Sequence, residues 1–309
     1  MLSFHVNKYF MPEKTIEYEA IGTHWWISVK DEISQEKWDS LSSQIRSIML
    51  EFDNNYSRFK SASYIGILNE KKVLTNFPSV LFGMMNFAEQ VRNVSQGYFD
   101  IAVGTHLENL GYDKDLTFTE KDKKINIENR FKILTPEKIE IYSEIKIDLG
   151  GIGKGWLIDE AKNILIQNEI HNFTINGGGD IYFASTNGRK EKFALENPFD
   201  QTQMIGTIEI ENKSIACSAG TKRNWETANS HKAFNHLVSA KTGENISDIA
   251  AVFTQGDNAL SADTASTAIF VSPTNIADKI AMALHAQYLI IFSTGQYLKS
   301  FGYEGSLFH

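Results

Sequence analysis

Four glycines and one lysine fall within eight positions at Asp148-Leu149-Gly150-Gly151-Ile152-Gly153-Lys154-Gly155. A chain this rich in glycine can turn sharply and bring its backbone close to whatever faces it, because no Cβ intervenes. The helix start expected after it offers unpaired N–H groups and the lysine adds a point charge, a combination suited to phosphate. The spacing is not that of a Walker A loop, and no serine or threonine follows the lysine. Alone, such a segment is more often a plain strand-to-helix connection than a ligand site. A second cluster, Asn176-Gly177-Gly178-Gly179-Asp180, separates the apolar runs Phe173 to Ile175 and Ile181 to Phe183. By itself it reads as a hairpin turn, but two glycine-rich connections at strand ends are what a nucleotide cleft between lobes requires.

Periodicity around these clusters sets the fold class. Ile21, Trp25, Ile27 and Val29 mark a strand or hairpin over Ile16 to Val29. A helix is expected over Gln35 to Asp53 behind an N-capping Ser34, and another from Pro78 to Gln96 before Gly97. Further strands are expected at Glu140 to Leu149, Phe173 to Asn176, Ile181 to Ala184, Ile205 to Ile210, Phe234 to Val238, Ala250 to Phe253 and Tyr288 to Phe292. Helices are expected at Lys154 to Gln167, Asn258 to Val271 and Asn275 to His285. Strands mixed irregularly with helices imply an α+β fold: two closely packed lobes of mixed or antiparallel sheet covered by helices, with a nucleotide cleft between them, in a single domain over 1–309. The charged stretch Thr117 to Asn129 reads as a solvated excursion.

Composition excludes several classes. A formal net charge of −8 disfavours nucleic-acid binding, which depends on cationic side chains displacing counter-ions. The single cysteine, Cys217, permits neither an intrachain disulfide nor a cysteine-based zinc cluster. No apolar run reaches bilayer length, and Met1 to Tyr9 lacks the apolar core of a signal peptide. A cytoplasmic protein is expected, the alternative being an exported lipoprotein whose leader has been removed.

Three more segments carry chemistry. On the helix expected after Asn258, Asp263 and Thr267 stand four residues apart and so share a face. A carboxylate and a hydroxyl are hard oxygen ligands suited to Mg²⁺, although a packed helix with a capping aspartate would look the same. His236, in Phe234-Asn235-His236-Leu237-Val238-Ser239-Ala240-Lys241-Thr242-Gly243, could act near a pyrophosphate or merely be packed. Gly97-Tyr98-Phe99-Asp100 places two aromatics and a carboxylate after a helix end, where aromatics are usually core.

Taken in order, these segments resemble the FAD:protein FMN transferase family along nearly the whole chain. Ile21-Gly22-Thr23 is similar to its Met-Gly-Thr, and Tyr56-Ser57-Arg58-Phe59 through Leu68-Asn69 to its Ser-aromatic, Ser, Leu-Asn segment. Gly97 to Asp100, Asp148 to Gly155, Asn176 to Asp180, His236 to Gly243 and Ala262 to Ala268 resemble five further family motifs. Departures are Ile21 for the early Met, Ser239-Ala240 for Asp-Pro, and Cys217-Ser218-Ala219-Gly220 for a Thr-Ser-Gly element. The resemblance implies that Asp263, Thr267 and the backbone carbonyl of Gly153 hold Mg²⁺ against the FAD pyrophosphate. It implies that Phe99, Asp100, Asp148, Lys154, Asp159, Gly177, Gly178 and Gly179 line the flavin nucleotide cleft and that His236 acts near the transferred phosphate. The implied activity is cleavage of FAD and attachment of FMN to a threonine or serine of an acceptor flavoprotein. Two alternatives share the site: a pyrophosphatase yielding FMN and AMP, and a non-catalytic FAD-binding protein.

Overall fold

The computed structural model describes residues 13–121, 125 and 130–308. The segment Met1 to Tyr9 lies outside them, as do residues 122–124 and 126–129 of the charged stretch.

β1 (Lys14–Ala20) and β2 (Thr23–Val29) form the expected hairpin, registered from Lys14 opposite Val29 to Ala20 opposite Thr23. Its turn is Ile21-Gly22, with φ of 47° and 71°, the primed geometry that matches strand twist. α1 (Gln35–Tyr56) begins where the Ser34 side chain accepts from the Lys37 N–H, and it buries Trp38, Leu41, Ile45, Met49, Phe52 and Tyr56 on one face. Each such fully buried apolar side chain contributes roughly 2 kcal/mol of transfer free energy. α2 (Tyr64–Lys71), capped by Ser63, leads into β3 (Val73–Thr75) and then α3 (Ser79–Val94), which starts behind Pro78. α4 (Gly104–Asn109) precedes β4 (Phe131–Thr135) and β5 (Lys138–Ile141), which with β3 make a small antiparallel sheet.

α5 (Gly150–Gln167) runs into the hairpin β6 (Phe173–Gly177) and β7 (Asp180–Ala184). β8 (Glu191–Glu196), β9 (Met204–Ile210), β10 (Lys213–Ala219), β11 (Asn224–Glu226), β12 (Ala233–Asn235) and β13 (Ile249–Gly256) follow. α6 (Ala259–Phe270) is capped by the Asn258 side chain, and a 3-10 turn at Thr274–Ile276 opens α7 (Ala277–Ala283). β14 (Ala286–Phe292), β15 (Tyr297–Lys299) and β16 (Ser306–Leu307) complete the chain.

The main sheet has the order β1-β2-β6-β7-β10-β13-β14-β15 and is antiparallel throughout, as the α+β expectation requires. Side chains alternate between two apolar clusters, one on each face. Ile181 and Phe183, Ala251 and Phe253, and Leu289 and Ile291 face the sheet β16-β9-β8, whereas Tyr182, Val252 and Ile290 face the helices. Strands buried on both faces lose the clean apolar-polar alternation of a half-exposed strand.

Four expectations are corrected. The strand expected over Glu140 to Leu149 ends at Ile141. Ile145, Ile147 and Leu149 are buried at alternate positions, but the partner of Ile147 is a side chain: Asn69 Nδ2 donates to its carbonyl at 2.9 Å, and its N–H donates to Asn69 Oδ1 at 2.6 Å. β12 stops at Asn235, short of the expected Val238, because the Asn245 side chain takes up the carbonyls of Asn235 and Leu237. The last helix is confined to Ala277–Ala283 behind its 3-10 turn. α5 starts at Gly150 rather than at Lys154, so the glycine segment is helical.

Candidate active site at the start of α5

The glycines of α5 let this helix lie against its neighbours. A Cβ on Gly155 would come 2.5 Å from the Ala259 carbonyl, and one on Gly151 would meet the Phe99 ring at 2.9 Å and Thr267 Cγ2 at 3.6 Å. Close contact with α6 brings side chains from four segments together. Lys154 Nζ donates to Asp263 Oδ1 at 2.8 Å and also to Asp180, while the Gly155 N–H donates to Asp263 Oδ2 at 2.9 Å. Asp180 and Asp263 are only 3% and 1% exposed, so this is one ammonium between two buried carboxylates, a net negative charge. Burial alone would lower the lysine, but the two carboxylates outweigh it and raise Lys154 above its ordinary value. Burial lifts Asp180 above the usual carboxylate range, with Lys154 opposing and Asp263 adding to the rise.

One helical turn beyond Asp263, Thr267 Oγ1 lies 3.1 Å from Ser218 Oγ of β10, which is 2.8 Å from Ser266 Oγ. Asp148, at the mouth of α5, accepts from the Gly150 N–H at 2.6 Å and from Arg58 Nε. Arg58 is held over the Phe59 ring, 4.1 Å from its centroid, and donates to the Tyr112 carbonyl at 2.8 Å. Tyr112 in turn stacks on Trp225 at 5.2 Å. Gly178 and Gly179 form the two-residue turn of the β6–β7 hairpin, with φ of 70° and 105°. Gly177 is packed so tightly that a Cβ would lie 2.7 Å from the Trp25 ring. This hairpin is what delivers Asp180 to Lys154.

His236 Nδ1 sits 3.2 Å from the Lys222 carbonyl. A carbonyl only accepts, so Nδ1 carries the proton and Nε2 keeps its lone pair. Burial, then the positive charges of Arg223 and Lys154, push the imidazole down to about 4, below the near-neutral value that suits an imidazole base.

The other expected site residues have partners of their own. Asp159 accepts from the N–H groups of Ala259 and Leu260 at 3.1 and 2.9 Å, capping α6 from α5. Asp100 is bound by Arg92, Arg130 and the Ala102 N–H, and Phe99 backs Gly151. A Cβ on Gly153 would meet the Phe52 ring of α1 at 3.0 Å, whereas Thr267 lies by the Cβ position of Gly151. Asp180, Arg58 and Ser218 join the site although none was assigned a role. Each lies in a segment already singled out by its motif, so the signal was order along the chain.

A cavity of about 880 Å³ opens on the face of the main sheet away from the helices, and its lining includes Gly178, Gly179, Cys217 and Lys222. The Cys217 N–H donates to Asp180 at 3.1 Å, which ties this cavity to the carboxylate pair. A second hollow of about 590 Å³ borders Trp225, Phe234 and Asn235.

The main sheet with its helical layer is similar to that of the apbe protein of Thermotoga maritima, with a TM-score of 0.81 and 20% identity, covering 94% of this chain and 99% of that one. The flavin transferase ApbE of Vibrio cholerae superposes with a TM-score of 0.77 at 20% identity, covering 94% and 98%. In sequence, the FAD:protein FMN transferase of Buchnera aphidicola subsp. Schizaphis graminum is 26% identical over 270 residues, 82% of this chain and 78% of that protein. That of Haemophilus influenzae is 25% identical over 301 residues, 88% and 85% of the two chains. The sequence profile of the ApbE family matches residues 21–292, and the chain belongs to that family.

Proposed function

We propose that this chain splits FAD and transfers FMN to a serine or threonine hydroxyl of a partner flavoprotein, with Mg²⁺ as cofactor. The observation that carries the proposal is the Lys154, Asp180, Asp263 and Thr267 cluster at the start of α5, in a chain matched to the ApbE family over residues 21–292. The relatives named as FAD:protein FMN transferases support it.

The donor set fits Mg²⁺. Asp263 and Thr267 offer hard oxygens on one helical face, and the buried cluster carries net negative charge. Among the described residues no three His, Cys, Asp or Glu side chains form a self-sufficient cation site, so further oxygens would have to come from water, a backbone carbonyl such as that of Gly153, and phosphate. When bound, the cation neutralises charge that develops on the pyrophosphate.

The acceptor oxygen bonds to the FMN-side phosphorus, and the bond from that phosphorus to the bridging oxygen breaks. AMP leaves with that oxygen, and one proton is released. Lys154 binds the phosphates, and His236 Nε2 takes the hydroxyl proton. Negative charge from bound pyrophosphate raises the imidazole from its depressed value, toward the range a base needs.

The test is incubation with FAD and Mg²⁺, with and without a flavin-free acceptor, following AMP release and acceptor mass. Stoichiometric gain of one FMN per acceptor is expected. AMP release with no mass gain on any polypeptide would replace the transferase by a pyrophosphatase.

A further inference from the structure

The sheet β16-β9-β8 covers only part of the main sheet. Its apolar cluster packs on strands β7, β10, β13 and β14, and among the described residues no such cluster packs on the matching face of β1, β2 and β6. The cavity of about 880 Å³ follows that boundary. Its floor carries Thr15, Trp26, Ser28 and Thr174, none of them fully buried. Its side wall is β8, from which the consecutive residues Phe193, Ala194, Leu195 and Glu196 all border the space. Successive strand residues point to opposite faces, so a run of four can border one cavity only if the strand presents its edge. Among the described residues β8 pairs with β9 alone, which leaves its other edge free for pairing.

Two further features border the cavity. Tyr303, 3% exposed, and Thr221 both line it, and among the described residues neither buried hydroxyl has a hydrogen-bond partner. Lys222, also in the lining, gives its carbonyl to His236, and Cys217 gives its N–H to Asp180. The groove is thus lined by two residues whose backbone groups hold Asp180 and His236, although it lies on the opposite face of the sheet from α5 and α6.

We propose that this groove receives the acceptor as an extended segment, which adds as a strand to the free edge of β8 and carries its hydroxyl residue to the Thr221–Lys222 end. Main-chain pairing to a strand edge gives affinity without demanding a particular sequence, and alternate side chains reach the floor. An extended segment supplies the N–H and C=O groups that the free edge of β8 lacks. The inference rests on the transferase function.

The experiment uses wild type and two groove-filling variants, Thr174→Arg and Ser28→Trp, neither in the catalytic machinery. The acceptor is the flavin-free form of the polypeptide to which wild type adds FMN. Each variant should raise the acceptor KM by about tenfold or more while leaving FAD affinity and acceptor-independent AMP release within about twofold. In the wild type, amide hydrogen exchange in residues 191–196 should slow when acceptor is added. An unchanged acceptor KM in both variants, or acceptor-dependent protection that spares β8, overturns the groove assignment while the transferase function stands. Failure of wild type to add FMN to any polypeptide removes the transferase function and the groove with it.

Discussion

Lys154 of α5 and Asp263 of α6 meet in a 2.8 Å ion pair whose carboxylate is fixed at its other oxygen by the Gly155 N–H. Adjacent residues of one helix thus bind both oxygens of a single side chain on the next. The carboxylate is oriented before any ligand arrives.

Removing the ammonium should expose what it offsets. Lys154→Ala leaves Asp180 and Asp263 buried without a counter-ion, a loss worth about 3 to 5 kcal/mol. Asp180 already lies above its ordinary value through burial, and loss of Lys154 raises it further. A carboxyl with a raised folded pKa takes up its proton more readily folded than unfolded, so the penalty shrinks as pH falls toward that value. Urea unfolding at about pH 7 and about pH 5 should show the variant closer to wild type at the lower pH. Equal losses at both would mean Lys154 does not stabilise the carboxylates.

His236 makes the opposite contribution. Its folded value, pushed down to about 4 from 6.5, means that the unfolded chain binds the proton first as pH falls. Stability in the absence of substrate should drop as pH is lowered through that window, and His236→Gln should flatten the slope there. The same variant should lower transfer about a hundredfold with FAD affinity little changed. Near-normal transfer by the variant would shift the base to a carboxylate such as Asp148.

Metal dependence should be visible without turnover. In the presence of FAD, Mg²⁺ should raise the melting temperature of wild type, and Asp263→Asn should abolish the increment. Thr267→Ala should need about tenfold more Mg²⁺ for the same shift, since one ligand is lost. Full AMP release by wild type in excess EDTA would contradict the assignment.

Two helical glycines should respond to alanine in opposite directions. Gly155→Ala drives a methyl to 2.5 Å from the Ala259 carbonyl and 2.7 Å from Leu260 Cα, both backbone. Separating α5 from α6 should cost about 1 to 3 kcal/mol or more. Gly83, inside α3, has nothing within 4 Å of its Cβ position, and Gly83→Ala should stabilise by up to about 1 kcal/mol. Chemical denaturation of both variants checks the contrast.

Elements governed by local signals were legible in the sequence. Ser34 and Asn258 cap the helices they were expected to cap or precede, Pro78 immediately precedes α3, and the Trp25, Ile27, Val29 alternation marks β2. β10 was not legible, because Ser214 and Ser218 stand where a strand packs against α6 and small side chains replace the bulky branched ones that announce a strand. The site divides in the same way. Asp263 and Thr267 share a helix, so their common face follows from spacing alone. The meeting of Lys154 with Asp263 spans 109 residues and that of Arg58 with Asp148 spans 90, distances over which no periodicity operates. Asp159 shows the converse: motif order placed it in the cleft, and the unpaired N–H groups of α6 claim it.

Asn69 reaches across from α2 and stands in for a missing strand beside Ile147, one residue before Asp148. Aspartate there would keep the shape but set an oxygen against the Ile147 carbonyl, and leucine would keep the volume but strand both backbone groups. Of the genetically encoded side chains only asparagine supplies a donor and an acceptor at this length. The approach of the chain to Asp148 is therefore braced by a side chain 78 residues upstream of the one whose backbone it pairs with.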